Sequence, residues 1–168
     1  VLDDAYLVNV NLSGATLIGA SLKRVYLLQA RLEDANLSKA DLTEGNLTNT
    51  VLTGAVLTGA VAKAASLVNA SAAGANFDNA VLTGAFLTRA NLRAATLRGA
   101  DLSGANLASA VVSEADLTRA NLQGAILDRT SLTGANLTDA NLKGATLRGT
   151  SLTTAKLCRT TMPDGACV

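Results

Sequence analysis

A leucine occupies nearly every fifth residue of this chain, and no insertion interrupts the spacing. The register begins at Leu2 and continues to Leu157 and Met162. A small residue, usually alanine, precedes each leucine by two positions, as Ala5 precedes Leu7. A period of five matches neither an amphipathic helix nor a flat strand. It predicts a solenoid of very short strands, each followed by a sharp corner.

The inside and outside of this solenoid follow from the strand geometry. Residues two apart in an extended chain face the same side. Ala35 and Leu37 therefore point inward, while Asn36 between them points outward. Ser38 and Lys39 form the corner.

The second corner position favours glycine. Most of the 14 glycines occupy it, and a type II turn needs a positive φ there, which costs glycine least. Asn49 and Asn69 also tolerate this φ. Arginines do not favour it, so Arg89, Arg119 and Arg129 predict a different type of turn at their corners.

The charges indicate the length of one coil. At a spacing of four repeats, every pair of charged residues is opposite in sign. These pairs are Asp3–Lys23, Asp4–Arg24, Arg24–Glu44, Asp78–Arg98, Arg119–Asp139, Asp128–Arg148 and Asp139–Arg159. Opposite charges on neighbouring strands stabilise, whereas like charges destabilise. We therefore predict an all-β fold, a right-handed quadrilateral parallel β-helix with about eight coils of about 20 residues each.

One coil has an altered core. Its inward residues at the leucine positions are Ala62, Leu67, Ala72 and Phe77. Two leucines become smaller and one becomes larger. We interpret this as compensation of volume in a tightly packed interior, and not as a ligand pocket.

The repeat resembles a known family. Residues 35–39 read Ala-Asn-Leu-Ser-Lys, residues 40–44 read Ala-Asp-Leu-Thr-Glu, and residues 105–109 read Ala-Asn-Leu-Ala-Ser. These are similar to the A(D/N)Lxx motif of pentapeptide-repeat proteins, and the resemblance covers nearly the whole chain. It implies the same right-handed quadrilateral β-helix. We expect this β-helix in residues 1–157 and a C-terminal cap segment in residues 158–168.

The C-terminal segment carries a second resemblance. Residues 157–165 read Leu-Cys-Arg-Thr-Thr-Met-Pro-Asp-Gly. They resemble an ending of cyanobacterial pentapeptide-repeat proteins and of their plant relatives in the thylakoid lumen. This implies an oxygenic phototroph and a place in the lumen of a chloroplast or cyanobacterium. The bacterial cytoplasm is the alternative.

Catalytic chemistry is not indicated. The chain has no histidine, so neither a histidine base nor a histidine metal ligand is available. The carboxylates are scattered over outward and corner positions. We expect no enzyme activity, no catalytic or metal site and no cofactor.

The two cysteines, Cys158 and Cys167, both lie near the C-terminus. One interpretation is a disulfide that holds the last segment over the open end of the solenoid, which requires an oxidising compartment. The alternative is two unrelated thiols at a frayed end.

Outward apolar residues are the only indication of a binding surface. With coils of four repeats, Tyr6, Val8, Tyr26 and Leu28 form one patch, and Phe86 lies further along the same face. This predicts a surface for a partner or for self-association. The alternatives are cover by a further N-terminal segment and ordinary strand-forming side chains.

Function follows only in outline. We predict a non-catalytic scaffold that binds an unknown protein partner, as a monomer or a weak homodimer, without membrane insertion. The alternative is a gyrase-interacting protein that mimics DNA, as some members of the family do. Mimicry of DNA requires a dense negative surface, and binding of nucleic acid requires a positive one. The net charge of +1 disfavours both.

Overall fold

The computed structural model describes all residues 1–168. The backbone has no helix and no strand longer than one residue. Its pairing consists of isolated parallel bridges between residues four repeats apart, from Tyr6↔Tyr26 to Asn141↔Thr161. The bridge residues form four columns that begin at Tyr6, Asn11, Thr16 and Ser21. The predicted right-handed quadrilateral β-helix with four repeats per coil is confirmed.

In a typical repeat, four of the five backbone N–H groups have a backbone acceptor, as the repeat that starts at Ala35 illustrates. Asn36 donates to the preceding coil at 2.8 Å, and Leu37 and Lys39 donate to the following coil at 2.7 and 3.0 Å. Ala35 closes the corner before it, with a 3.1 Å bond to the carbonyl three residues earlier. Only the N–H of Ser38 has no backbone acceptor.

A side chain accepts this remaining bond. The Asn36 amide oxygen takes the Ser38 N–H at 3.0 Å. Every asparagine and aspartate that directly precedes an inward leucine or phenylalanine makes the same bond two residues ahead. They are Asn11, Asn36, Asp41, Asn46, Asn76, Asn91, Asp101, Asn106, Asp116, Asn121, Asn136 and Asn141. The polar position of the repeat is thus explained by an Asx turn that satisfies the corner N–H.

Some corners obtain this acceptor from the coil before. At three corners where serine or threonine precedes the leucine, an aspartate one coil earlier accepts the corner N–H at 2.9–3.0 Å. These bonds join Asp3 with Lys23, Asp78 with Arg98, and Asp128 with Arg148. Each carboxylate therefore binds backbone where the charge spacing predicted a side-chain ion pair.

The stacked charges form ion pairs at only some of the predicted positions. The pairs Asp4–Arg24, Arg119–Asp139 and Asp139–Arg159 are present. Arg24 and Glu44 form no ion pair. The spacing of opposite charges still indicated the coil length correctly.

The prediction of a different turn at the arginine corners is wrong. Arg89, Arg119 and Arg129 have φ values of 57°, 61° and 57°. Positive φ occurs at every second corner position from Asp4 to Gly149. Stacking explains this, because the N–H of that residue must point along the rod to reach the next coil, as Arg119 N–H does at 2.9 Å. The ladder therefore imposes the left-handed conformation on every residue type.

The interior is one continuous cluster of 47 buried hydrophobic residues. In the altered coil, Ala62, Leu67, Ala72 and Phe77 are each at most 3% exposed. All four residues face the interior, and compensation of the lost volume by Phe77 stays an interpretation. The buried threonines that replace alanine are also satisfied, since Thr50 donates its hydroxyl to the Leu47 carbonyl at 2.7 Å.

The chain ends in a short antiparallel hairpin. Thr160 and Val168 exchange two backbone bonds of 3.1 Å, and Met162 N–H donates to the Ala166 carbonyl at 2.7 Å. The turn includes Gly165 at a φ of 89°. The returning segment pairs with the free edge of the last coil on one side of the rod. None of the backbone forms a helix with the length and hydropathy that a membrane span requires.

Candidate functional site

One column of outward side chains carries no charge. It contains Tyr6, Tyr26, Asn46, Ser66, Phe86, Asn106, Ile126 and Thr146, linked by successive bridges. Together with the corner residues that follow each of them, we call it the aromatic face. Every aromatic residue except the buried Phe77 lies in this column. The other three columns all contain charged residues, for example Arg31, Asp41 and Asp116.

The predicted patch comes together at one end of this face. The rings of Tyr6 and Tyr26 stack, with centroids 4.4 Å apart and planes 6° from parallel. Tyr6 is 77% exposed and Val8 is 43% exposed, while Leu28 is half-buried. A stacked, exposed aromatic pair with aliphatic neighbours is the composition typical of protein interfaces.

Phe86 does not join this patch. Asn46 and Ser66 separate it from Tyr26 in the column, which places it three coils away, or about 14 Å along the rod. Its ring is 49% exposed. The residues between are polar and uncharged, and the hydroxyls of Thr48 and Ser66 bond to each other at 2.8 Å. The apolar groups therefore form a discontinuous line along the face.

Three arginines at the corner of the aromatic face distinguish its second half. Arg89, Arg129 and Arg148 are the only arginines that form no ion pair. All other arginines lie within 4.0 Å of a carboxylate, namely Arg24, Arg31, Arg93, Arg98, Arg119 and Arg159. The unpaired guanidinium groups are thus confined to one face of the rod.

Asp128 is the one acidic residue among them. Its carboxylate accepts the Arg148 backbone N–H at 3.0 Å. The nearby Thr146 hydroxyl and then this N–H hold the pKa of Asp128 below its ordinary value, with smaller effects of the two neighbouring arginines. Asp128 is therefore ionised, and one of its carboxylate oxygens accepts this backbone bond. The guanidinium of Arg148 stays without an ion pair.

The sequence did not identify Arg148 as unpaired, because Asp128 accepts its backbone N–H and not its side chain. Asp128 and Arg148 are one coil apart and were predicted to pair through their side chains. Arg89 and Arg129 occupy the same corner position two coils apart, and no acidic residue lies one coil before or after either of them. That signal was present in the sequence and indicates that neither arginine has an ion-pair partner in the neighbouring coils.

The structure does not support the predicted disulfide, and Cys158 and Cys167 are free thiols in it. Cys158 is half-buried and Cys167 is exposed on the returning strand of the hairpin. Both lie near one guanidinium. Arg159 approaches the Cys158 sulfur at 3.7 Å, and its pKa is raised mainly by its bond to Asp139, with smaller contributions from both cysteines. No group of three or more metal-binding side chains is present.

The sequence matches the family model described as Pentapeptide repeats in eight copies. The matches cover residues 1–38, 35–71, 63–99, 73–108, 85–124 and 115–153. A search of the curated proteins found no match.

Several solved structures are similar. HetL, a pentapeptide repeat protein involved in regulation of heterocyst differentiation in the cyanobacterium Nostoc sp., is 32% identical, and the match covers 98% of this chain and 90% of that chain with a TM-score of 0.38. A pentapeptide repeat protein of the Arabidopsis thaliana thylakoid lumen is 29% identical over 66% of this chain and 63% of its own, with a TM-score of 0.45. QnrB1, a plasmid-mediated fluoroquinolone resistance protein, is 17% identical over 94% and 76%, with a TM-score of 0.63.

Proposed function

The chain belongs to the pentapeptide-repeat family, and we propose that it is a non-catalytic scaffold that binds a partner protein through the aromatic face. Pentapeptide-repeat proteins are generally structural or binding proteins without enzyme activity. Solenoids bind through extended surfaces, because their repeats present the same positions in register along a rod. The single observation that supports this face is the confinement of all exposed aromatic side chains to one uncharged column.

The alternative of ordinary strand-forming side chains explains this column less well. Valine at outward positions, such as Val51, Val56 and Val81, satisfies the preference of strands for branched side chains. Those valines occupy the other three columns, where no aromatic side chain is exposed. Stacked tyrosines at 77% and 38% exposure keep a large apolar area in water, which binding would remove.

A capture experiment tests the proposed function. The wild-type protein would be immobilised beside a variant with Tyr6→Ser, Tyr26→Ser and Phe86→Ser. A matched control carries Val51→Ser, Val81→Ser and Val111→Ser on the other columns. Proteins retained from a native extract would be quantified by mass spectrometry. Support is a protein that the wild type and the control retain and the aromatic-face variant loses. Identical sets from all three would contradict the proposal.

For location, we propose the thylakoid lumen. The support is the resemblance of residues 157–165 to lumen members, together with the 29% identity to a lumen protein. Protease treatment of thylakoids isolated from the native source tests this. The protein should resist protease in intact thylakoids and be digested after the membranes are ruptured. Recovery in the fraction outside the thylakoids would favour the bacterial cytoplasm.

DNA mimicry is disfavoured by the surface charge. Duplex DNA presents a dense array of negative charges. Here the net charge is +1, and most aspartates are engaged by arginines or corner N–H groups. The likeness to QnrB1 at 17% identity concerns the fold alone.

A further inference from the structure

We infer that the aromatic face takes an extended partner segment with apolar side chains at one end and carboxylates at the other. This inference rests on the proposed binding function and specifies the chemistry of the partner. Charge complementarity is the argument, because the face changes character along its length.

The first half of the face is uncharged. From Tyr6 to Asn69, neither the column nor its corner contains a charged residue. The outward groups there are the stacked tyrosines, Val8, Leu28, Val68 and uncharged polar side chains. A charged partner group would lose hydration at this end without gaining an opposite charge. The partner segment is therefore apolar where it meets the tyrosines.

The second half presents the unpaired arginines. Arg89 lies at the second corner position after Phe86, and Arg129 occupies the same corner position two coils later. Arg148 lies one coil beyond. Guanidinium groups bind carboxylates through two parallel hydrogen bonds. On a rod where every other arginine has a carboxylate within 4.0 Å, these three have donors left for carboxylates of a partner.

The spacing fits an extended chain. Arg89 and Arg129 are two coils apart, or about 10 Å, and Arg148 adds about 5 Å. At about 3.3 Å per residue, an acidic stretch of about five residues spans the three arginines. The whole face from Tyr6 to Arg148 covers seven coils, or about 34 Å, so a segment of about ten residues suffices.

The charge pattern disfavours two other occupants. A second copy of the chain, related by a two-fold axis, would bring either arginines against arginines or arginines against the uncharged half. A nucleic acid would need phosphate contacts along its length, and the first half supplies no cation.

Selection of random peptides of about ten residues tests this inference. The target would be the whole protein, and enriched peptides would be synthesised with a fluorophore and titrated by fluorescence anisotropy. The variant carries Arg89→Gln, Arg129→Gln and Arg148→Gln. The matched control carries Arg93→Gln, Arg98→Gln and Arg119→Gln, which removes three paired arginines from other corners. Circular dichroism and thermal melting establish that each variant is folded.

We expect enriched peptides that combine aromatic or aliphatic residues with aspartate or glutamate. They should bind the Arg89/Arg129/Arg148 variant about tenfold more weakly or worse and the control with unchanged affinity. Peptides without acidic residues, or peptides that bind both variants equally, would overturn the inference while leaving protein binding intact. No enrichment at all would also overturn the inference, while the capture experiment decides separately whether the face binds a partner protein. If a fluorescent single-stranded oligonucleotide bound more tightly than the peptides, and the Arg89/Arg129/Arg148 variant lost this binding, the partner would be a nucleic acid and not an acidic segment.

Discussion

The side-chain oxygen of Asn106 accepts the backbone N–H of Ala108 at 3.0 Å. This bond satisfies the one N–H of the repeat that the coil ladder leaves without an acceptor. It links the outward polar residue of the motif directly to the corner. The preference for asparagine or aspartate before leucine therefore has its cause in the backbone.

Asn106→Ala should destabilise the protein by about 1 kcal/mol, because the Ala108 N–H loses its acceptor. Asn106→Asp should stay close to the wild type, since Asp101 and Asp116 make the same bond. Denaturant unfolding of the two variants measures this difference. Equal losses for Ala and Asp would show that the side-chain bond does not stabilise the corner.

Much of the fold followed from the sequence, because the period of five allows few solutions. The inward leucines, the outward asparagines and the coil of four repeats are all as predicted. The turns at Arg89, Arg119 and Arg129 were not. Residue preference is a local property, whereas the φ at those corners is imposed by bonds to the next coil, which the local sequence does not contain.

The candidate site was predictable in part. Tyr6, Val8, Tyr26 and Leu28 share a patch because the column spacing is regular. The unpaired state of Arg148 was not predictable, because Asp128 can accept from a side chain or from a backbone N–H at the same spacing. The outcome depends on Thr146, which occupies the outward position and supplies no Asx acceptor for the Arg148 N–H.

Leu92→Ala should cost about 2–5 kcal/mol in free energy of unfolding, because Leu92 is fully buried in the middle of the rod. Thr88→Ala, at a corner, should cost less than about 0.5 kcal/mol. Denaturant melts of both variants measure the contrast. If the two losses were equal, the assignment of inward and outward positions would fail.

Ala94→Gly should raise the stability by about 0.5–1 kcal/mol, since the left-handed strain of a residue with a Cβ exceeds the entropy cost of glycine. Ala94 has a φ of 55°. Gly104→Ala, at a φ of 65° with open space around the new Cβ, should lower the stability by a similar amount. Thermal melts with the same sign for both changes would contradict the account of the corners.

Acid should weaken the C-terminal end of the rod. The hydrogen bonds from Arg159 hold the pKa of Asp139 below its ordinary value of 3.8. A carboxyl group with a lower pKa in the folded state stabilises fully above the unfolded pKa, and this stabilisation is lost as the pH falls through the folded pKa. Unfolding measured from about pH 6 to about pH 2 should therefore show a shallower loss for Asp139→Asn than for the wild type. Parallel curves would show that this pair contributes nothing.

The central claim is that the aromatic face binds the partner. Hydroxyl-radical footprinting with and without a bound peptide or captured protein tests it most directly, because rings oxidise readily where they are exposed. We predict that oxidation of Tyr6, Tyr26 and Phe86 falls on binding, while Ile18 and Val111 on other sides of the rod, 56% and 39% exposed, keep their rates. Unchanged rates at the three rings, with protection at Val111 or Ile18, would contradict the claim and move the binding surface to another face.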